Sequence, residues 1–431
     1  MSDKRQFGFD TRMVHAGHIP DPVVGARAVP IYQTTSYVFN DTHHAAQLFE
    51  LKQYGNIYTR INNPTTAVFE ERIASLENAT GAVAVATGMA AQFATFMTLL
   101  EPGDEVVASA HLYGGTVTQF TNTFKKLSVK VHLIDPSQPA HWERAITPKT
   151  KALYGETIGN PRGSILDLEY LSQLAAAHKI PLIVDNTFAT PYLCRPMDWG
   201  ASIVVHSATK FIGGHGTSLG GVVLDSGQFD YSRFATIADP SPSYHGLRFY
   251  DTFGHYGFLT KVRAETVRDT GASISPMNSF LLLQGLETLS LRMERHVSNA
   301  LAVARFLRDH PRVASVAYAG LPEHPDFDRA RKYLGKGAGA VFSFELKAGA
   351  LDAREAGRRF IEGLQLFSHL ANVGDARSLV IHPASTTHQQ LTDEELRLCG
   401  VSPSMIRLSI GLETVEDLLW DLDQALRALS V

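Results

Sequence analysis

Between about residue 65 and residue 225, short apolar and β-branched runs alternate with amphipathic stretches. The runs span residues 82–86, 105–108, 129–134, 151–154, 182–184, 203–205 and 222–224. Strands that alternate with helices in this way usually form a parallel sheet with helices packed on its faces. The pattern therefore predicts an α/β fold with a mostly parallel sheet.

The flanking segments differ in composition. Residues 1–60 carry several Pro, His and Tyr residues with little periodicity, which predicts an arm that reaches a partner subunit. Residues 226–275 are rich in Gly, Tyr, Phe and His and predict an insertion of undefined shape. Residues 278–309 show one long helical pattern, which we expect to link two domains.

After this helix the sequence again alternates between strand-like and helix-like stretches, which predicts a smaller α+β domain. The strand-like stretches are 340–346, 379–382 and 405–411, and the helix-like ones are 353–364 and a final helix from Thr414. The expected parts are an arm of residues 1–60, a large domain of residues 61–275 and a small domain of residues 276–431.

Composition excludes several classes of protein. With 431 residues the chain is long for one core, and its net charge of −4 offers no basic excess for nucleic acid. Cys194 and Cys399 are far apart and have no metal or redox spacing, as expected in a reducing compartment. No apolar run is long enough for a membrane span or a signal core. We expect a cytoplasmic protein that acts on a small molecule, with no nucleic-acid or membrane partner.

Lys210 directly follows one of the predicted strands, in the segment Ser207-Ala208-Thr209-Lys210. A lysine at a strand end can be partly desolvated, which lowers its pKa and lets the neutral amine attack an aldehyde. The hydroxyls of Ser207 and Thr209 could bind a phosphate. Taken alone, the segment could equally hold a solvated lysine in a turn.

Asp185 ends the apolar strand of residues 182–184, where a carboxylate is costly unless it is paired. A protonated pyridine nitrogen is such a partner, and a helix N-cap or a metal ligand is the alternative. Asp185 precedes Lys210 by 25 residues (210 − 185), a spacing that places both on successive strand ends of one sheet. The pair indicates a site more strongly than either residue alone.

Three further segments follow predicted strands. Gly88 and Met89 open a helical run, where backbone N–H groups and the helix dipole favour an anion; a plain turn is the alternative. Tyr113 could stack on a cofactor ring or be an ordinary half-buried aromatic. Asn160 could donate to a phenolic oxygen or belong to a plain Asn-Pro turn.

Two other kinds of site are disfavoured. The first strand-turn-helix lacks Gly-x-Gly-x-x-Gly, so a dinucleotide site is not expected. The candidate histidines form no tight ligand pattern with a carboxylate or thiol, so we expect no metal. They are His15, His18, His43, His44, His382 and His388. We interpret His43 and His44 as a solvated helix face.

Together these motifs resemble the Cys/Met-metabolism family of fold-type I pyridoxal-phosphate (PLP) enzymes over nearly the whole chain. In order they are Tyr58-x-Arg60, Gly88-Met89, Tyr113, Asn160-Pro161, Asp185-Asn186-Thr187, Ser207-Ala208-Thr209-Lys210 and Arg407-Leu408-Ser409-Ile410-Gly411-Leu412-Glu413. The resemblance implies pyridoxal 5'-phosphate as cofactor and a homo-oligomer of at least two subunits, typically a homotetramer built as a dimer of dimers.

The resemblance also implies roles for the matching residues. Lys210 would form the Schiff base and move protons, Asp185 would pair with the pyridinium, and Tyr113 would stack on the ring and take part in catalysis. The phosphate ligands would be Gly88, Met89, Ser207 and Thr209, joined by Tyr58 and Arg60 of a neighbouring subunit.

On the substrate side, Arg407 would clamp the α-carboxylate as a bidentate fork. Without the surrounding motif, an exposed arginine in an edge strand would be the alternative. Asn372 would assist Arg407 in this role. It lies in the segment Ala371-Asn372-Val373-Gly374-Asp375, which departs from the Ser-Leu-Gly form common in lyases of the family.

Within the family, residues 243–246 and 268–276 are most similar to members that act on O-acetylhomoserine. The implied reaction replaces acetate by sulfide, or methanethiol, to give homocysteine, or methionine. Methionine or cystathionine γ-lyase, cystathionine γ-synthase and a non-catalytic PLP-binding scaffold are the alternatives. Methionine γ-lyases usually carry a cysteine where Gly115 stands, which favours the transferase. The set Lys210, Asp185, Tyr113 and Arg407 argues against a scaffold.

Overall fold

The structure is a computed structural model and describes residues 5–347, 349, 351–386 and 400–429. Two residues considered above, His388 and Cys399, lie outside the described residues. Within the described ranges, no helix is long and apolar enough to cross a membrane.

The seven apolar runs predicted as strands form the first sheet. Its strands are β1 (Gly81–Val85), β2 (Glu105–Ser109), β3 (Lys130–Ile134), β4 (Thr150–Glu156), β5 (Leu182–Asp185), β6 (Ile203–Ser207) and β7 (Gly221–Asp225). In the described part of the chain their order is β1-β7-β6-β5-β4-β2-β3. Only β7 runs against the other strands, because it pairs antiparallel with both β1 and β6. The predicted mostly parallel sheet is confirmed.

The second sheet lies in the C-terminal part of the chain and is mixed. Its strands are β8 (Val313–Ala317), β9 (Val341–Leu346), β10 (Ser368–His369), β11 (Leu379–Ile381) and β12 (Met405–Ser409). They follow the order β10-β11-β12-β9-β8 within the described residues. The strand β12 is central, since it pairs with β11 on one side and β9 on the other.

Helices flank both sheets and fill the connections between strands. Up to β7 they are α1 (Phe9–His15), α2 (Thr42–Phe49), α3 (Pro64–Glu77), α4 (Gly88–Leu99), α5 (Gly114–Thr118), α6 (Phe124–Lys126), α7 (Pro139–Ala145), α8 (Leu168–His178) and α9 (Thr190–Leu193). After β7 they are α10 (Ala235–Ala238), α11 (Phe249–Phe253), α12 (Gly257–Lys261), α13 (Arg268–Thr270), α14 (Pro276–Leu286), α15 (Leu289–Asp309), α16 (Phe327–Tyr333), α17 (Ala353–Glu362) and α18 (Val415–Ala428). Together with short 3-10 helices and the π-helix Val262–Val267, these helices make up most of residues 226–275, which the sequence left undefined.

Side chains at the helix starts explain where two of these helices begin. Asn63 caps α3 by accepting from the backbone N–H of Thr65 at 3.0 Å, and a proline follows at the first helical position. Thr87 caps α4 by accepting from the N–H of Ala90 at 3.0 Å. The second cap is important for the site because it leaves the first N–H groups of α4 free to bind an anion.

The prediction of one continuous helix over residues 278–309 is wrong. The structure has α14 and α15, separated at Glu287 and Thr288. The guanidinium of Arg292 donates to the carbonyl of Gly285 at 2.6 Å, and this carbonyl would bond to the N–H of residue 289 in a continuous helix. The tertiary contact thus replaces the helical one. The domain limits at residues 60 and 275 stay a prediction.

Candidate active site

The carboxyl ends of the parallel strands meet at one edge of the first sheet and place several polar side chains there. Asp185 is the last residue of β5 and Ser207 the last of β6. Glu156 ends β4 and is the direct neighbour of Asp185 in the strand pairing. Edges of this kind are the usual location of ligand sites in open α/β sheets.

A cavity at this edge, closed on its other side by the C-terminal part of the chain, contains most of the predicted site residues. Its lining includes Gly88, Met89, Tyr113, Asn160, Asp185, Ser207, Thr209, Lys210, Asn372 and Arg407. These residues come from both sheets and are spread over more than 300 positions of the sequence (407 − 88 = 319). The fold brings them together.

Lys210 is partly buried in this cavity, and its Nζ donates to Oδ1 of Asn372 at 2.5 Å. Burial and, to a smaller extent, the nearby charge of Arg407 lower the pKa of the lysine to about 8. More of the amine is therefore unprotonated near neutral pH than in an ordinary lysine, as a nucleophile requires. The prediction that Lys210 is desolvated at the strand end agrees with this geometry.

Asp185 and Glu156 lie side by side at the sheet edge. Burial raises the pKa of both carboxyl groups, and each lacks a lysine or arginine partner among the described ion pairs. Asp185 accepts one hydrogen bond from the N–H of Thr187 at 2.9 Å. A cation placed beside Asp185 would stabilise its ionised form.

The start of α4 packs tightly against the end of β6. A side chain at Gly88 would place its Cβ only 2.6 Å from the Cβ of Ser207 and 2.8 Å from its Cα, so glycine is required for this approach. The contact places the free N–H groups of α4 beside the Ser207 hydroxyl, near Thr209. Such a group of donors suits a phosphate.

Arg407 lies on β12, in the middle of the second sheet, so the alternative of an exposed arginine in an edge strand is wrong. Its Nη1 donates to Oδ1 of Asn160 at 3.3 Å. Burial lowers the pKa of Arg407 to about 10, which still leaves the guanidinium charged at neutral pH. The cavity therefore holds a cation suited to a carboxylate.

Tyr58 and Arg60 are the predicted site residues that the structure does not bring to this cavity. Both are exposed, and the guanidinium of Arg60 lies 5.1 Å from the centre of the Tyr58 ring. They are outside the lining of the cavity within the described chain. Their predicted role depends on a second subunit.

The sequence reasoning missed several lining residues: Gln92, Thr116, Glu156, Ile158, Thr187, Phe188, Leu219, Ala371 and Val373. Glu156 is the most important, because its Oε1 accepts from the N–H of Tyr113 at 2.6 Å. The same signal that identified Asp185, an acid at the end of an apolar strand, could have found it. Nothing in the sequence pointed to Gln92, because it lies inside an apolar helix and not at the end of a strand.

The histidines lie elsewhere. Within the described ranges, no group of three or more His, Cys, Asp or Glu side chains is arranged to hold a metal ion. His382 is buried, and its ring nitrogens contact the hydroxyl of Ser385 and the carbonyl of Pro403, both at 2.8 Å. This is a structural arrangement. His43 is exposed on α2 and His44 is partly so.

Comparison with known proteins defines the family. The family described as "Cys/Met metabolism PLP-dependent enzyme" matches residues 10–427. This chain belongs to that family. Its cofactor is pyridoxal 5'-phosphate, and it is an enzyme, as the sequence resemblance implied.

Individual relatives cover almost the whole chain. It is 49% identical to O-acetyl-L-homoserine sulfhydrylase of Leptospira meyeri, over 98% of this chain and 97% of the relative. It is 50% identical to O-acetyl-L-homoserine sulfhydrylase 1 of Thermus thermophilus, over 97% and 99%. A crystal structure of a putative O-acetylhomoserine (thiol)-lyase of Campylobacter jejuni has a TM-score of 0.94 and 40% identity, and covers 98% of this chain and 100% of its own. That protein carries N'-pyridoxyl-lysine-5'-monophosphate.

The cavity fits this cofactor. The desolvated amine of Lys210 suits the aldehyde of the cofactor. The desolvated carboxyl group of Asp185, which has no cation beside it, suits the pyridine nitrogen. The start of α4, packed against Ser207, suits the phosphate. Of the described lysines, Lys210 is the one that lines the cavity. The phenolic Tyr113 ring lines the same space.

We expect the apoenzyme to combine with PLP through Lys210. The rate should rise as the pH is raised through about 8, because only the unprotonated amine attacks the aldehyde and burial lowers its pKa to about 8. Stopped-flow absorbance measures the rate, and peptide mapping after borohydride reduction should identify Lys210 as the labelled residue.

Lys261 provides the matched control, because its ammonium is paired with Glu265 at 2.5 Å outside the cavity. The Lys261→Ala protein should still take up the cofactor at Lys210, whereas the Lys210→Ala protein should give no reducible label. A label on another lysine of the wild-type protein would contradict the assignment.

Proposed function

We propose that the protein catalyses γ-replacement on O-acetyl-L-homoserine, in which sulfide takes the place of acetate and L-homocysteine is formed. The proposal depends on one observation: a lysine with a lowered pKa and a partly buried arginine face the same cavity. A PLP enzyme that acts on an amino acid needs the lysine amine for chemistry at Cα and the guanidinium to bind the carboxylate. The names of the relatives from Leptospira meyeri and Thermus thermophilus support this choice of substrate.

When bound, PLP supplies an electron sink that stabilises negative charge at the substrate Cα. Nζ of Lys210 is the group placed to take the proton from Cα. A proton then leaves Cβ while acetate departs from Cγ with its bonding pair. Hydrosulfide adds at Cγ, and protons return to Cβ and Cα. Proton transfer by such a positioned group contributes about 10²–10⁴-fold to a rate.

The other residues hold the reactants. We infer that Asp185 keeps the pyridine nitrogen protonated, since a cation there offsets the cost of burying the carboxylate. Gly88, Met89, Ser207 and Thr209 bind the phosphate. Tyr113 would cover the ring, and Arg407 binds the α-carboxylate. Asn160 orients Arg407 through its amide oxygen, and Asn372 orients Lys210 in the same way.

The nucleophile distinguishes this reaction from the lyase reactions. Gly115 has no side chain, so the thiol that methionine γ-lyases usually carry at this position is absent from the chain. We expect fast homocysteine formation from O-acetylhomoserine and sulfide, and little 2-oxobutyrate from methionine. Both products should be measured on one enzyme batch at one pH. Methanethiol, as an alternative nucleophile, should give methionine.

The control for this assay omits sulfide, which separates replacement from elimination of acetate. Higher kcat/KM for methionine cleavage than for replacement would favour the γ-lyase alternative. Replacement by cysteine in preference to sulfide would favour cystathionine γ-synthase. A protein that binds PLP but converts none of these substrates would support the scaffold alternative.

Arg407→Lys should raise KM for O-acetylhomoserine and leave the PLP spectrum unchanged. The lysine keeps the positive charge but loses the bidentate fork. A charge-assisted hydrogen bond contributes about 1.5–3 kcal/mol, so kcat/KM should fall roughly ten- to hundredfold. Arg305→Lys, at an exposed position on α15, is the control and should change neither constant. An unchanged KM in Arg407→Lys would remove Arg407 from the substrate site.

We also propose that Tyr58 and Arg60 complete the site of a partner subunit, so that the active unit is at least a dimer and forms a dimer of dimers. Their exposure and their distance from the cavity of their own chain support this arrangement. Mixing inactive Arg60→Ala and Lys210→Ala proteins should restore part of the activity, because one hybrid site then contains both residues intact.

Asp185→Ala mixed with Lys210→Ala is the control. Both residues belong to one chain's cavity, so every hybrid site lacks one of them and no activity should return. Equal recovery in the two mixtures, or none in the first after proven subunit exchange, would argue against a shared site.

A further inference from the structure

Glu156 is a buried acid in the wall of the cavity. It is the last residue of β4 and only 7% exposed, and its backbone pairs with that of Asp185 at the end of β5. Residues paired side by side in neighbouring strands project their side chains to the same face of a sheet. Both side chains also line the cavity. The two carboxyl groups are therefore neighbours in one largely desolvated space.

One oxygen of Glu156 anchors the start of α5. Its Oε1 accepts from the backbone N–H of Tyr113 at 2.6 Å. The carbonyl of Tyr113 accepts from the N–H groups of Thr116 and Val117 at 2.9 and 3.1 Å, so this backbone continues into the helix. The Tyr113 side chain is 51% exposed, so its own packing holds it only in part. The hydrogen bond to Glu156 thus ties the backbone that carries the ring to the edge of the sheet.

The cations that line the cavity donate to amide oxygens and not to Glu156. Nζ of Lys210 donates to Oδ1 of Asn372 at 2.5 Å. Nη1 of Arg407 donates to Oδ1 of Asn160 at 3.3 Å. Among the described residues, no lysine, arginine or histidine forms an ion pair with Glu156. Its carboxyl group therefore has no positive charge beside it to offset an ionised form.

Two neighbouring buried carboxyl groups cannot both be ionised at low cost. A protonated pyridine nitrogen at Asp185 offsets one negative charge and leaves a second one unpaired. Burial and the neighbouring Asp185 raise the pKa of Glu156 well above its ordinary value, although hydrogen bonds from the N–H groups of Tyr113 and Asn160 act in the opposite direction. The phenol of Tyr154 lies near both carboxyl groups and brings no positive charge. Of the two acids, Glu156 is then the one that keeps its proton.

We propose that Glu156 is a positioning residue, which holds Tyr113 in place through Oε1 while it remains a neutral carboxylic acid. The negative charge at this edge of the sheet then belongs to Asp185 alone. The inference rests on the proposed function, because it assumes that Tyr113 covers the cofactor ring and that Asp185 faces the ring nitrogen. It deepens that function by giving two adjacent acids different protonation states and different tasks.

Three substitutions separate the reach of the Glu156 side chain from its acidity. Glu156→Gln keeps an oxygen within reach of the Tyr113 N–H but cannot ionise. Glu156→Asp keeps a carboxyl group on a side chain that is shorter by one CH₂. Glu156→Met keeps a similar length and removes the acceptor. Asp185→Asn is the matched control, because it makes the same exchange of carboxyl for amide at the neighbouring strand end.

The holoenzymes of these variants are compared by the visible circular dichroism of bound PLP and by KM and kcat for O-acetylhomoserine. We expect Glu156→Met and Glu156→Asp to change the dichroism and to lower kcat/KM on the order of ten- to hundredfold, as for a group displaced by about 1 Å. Glu156→Gln should recover most of this loss, because it restores the acceptor. Asp185→Asn should not be tolerated in this way, because the ring nitrogen loses its counter-charge.

Infrared spectroscopy of the holoenzyme without substrate tests the protonation state independently of the reaction. The difference spectrum between the wild type and Glu156→Gln should contain the C=O stretch of a protonated carboxylic acid, which shifts when H₂O is exchanged for D₂O. Carboxylate bands in place of this stretch would overturn the proposal.

Double variants test whether Glu156 acts through the ring. In the Tyr113→Ala background, Glu156→Met should cause little further loss of kcat/KM, because the ring that it displaces is gone. A full additional loss in that background would contradict the proposal, as would a Glu156→Gln protein that is as impaired as Glu156→Met. So would wild-type dichroism and kinetics in Glu156→Met.

Thermal melting separates positioning from a loss of stability. A lowered Tm of Glu156→Met with unchanged dichroism would assign Glu156 a merely structural role and overturn the proposal. Should Glu156→Met fail to fold, Glu156→Asp against Glu156→Gln provides the same comparison. If the wild-type protein binds PLP but forms no homocysteine, the proposed function is wrong, while the infrared band and the dichroism still test the role of Glu156.

Discussion

Parallel strands end at a common edge, and the proposed chemistry depends on this alignment. The end of β5 carries Asp185 to that edge, and the segments after β1, β4 and β6 carry Gly88, Asn160 and Lys210, although these residues are far apart in the sequence. The C-terminal part of the chain adds Arg407, the proposed carboxylate ligand, from a central strand of the second sheet, so the cavity is formed by residues of both parts of the chain.

Burial gives these residues their chemical properties. The cavity excludes enough water to lower the pKa of Lys210 to about 8 and that of Arg407 to about 10. The same desolvation raises the pKa values of Asp185 and Glu156. A cavity that holds an amine, a guanidinium and the carboxyl group of Asp185 is suited to an aldehyde cofactor with a ring nitrogen and to an amino-acid carboxylate, because the ring nitrogen and the carboxylate offset the charges of Asp185 and Arg407.

Glu156 connects the two halves of this arrangement. It accepts a hydrogen bond from the backbone of Tyr113 and lies beside Asp185, so the aromatic side chain and the carboxylate are positioned by one strand end. The arrangement of the cavity therefore depends also on a residue that has no direct part in the proposed reaction.

The sequence by itself determined the strands of the first, mostly parallel sheet and the pair of Lys210 and Asp185, but not β8 and β10, because apolar runs mark buried strands and polar residues at their ends are costly without a partner. Family motifs indicated Arg407, which spacing alone left as an edge-strand arginine. Only the tertiary structure decided the break before α15, where Arg292 takes the carbonyl of Gly285, and the hydrogen bond by which Glu156 holds the backbone of Tyr113. Such contacts join side chains to backbone atoms through space, and the local pattern of residue types does not record which atoms will meet.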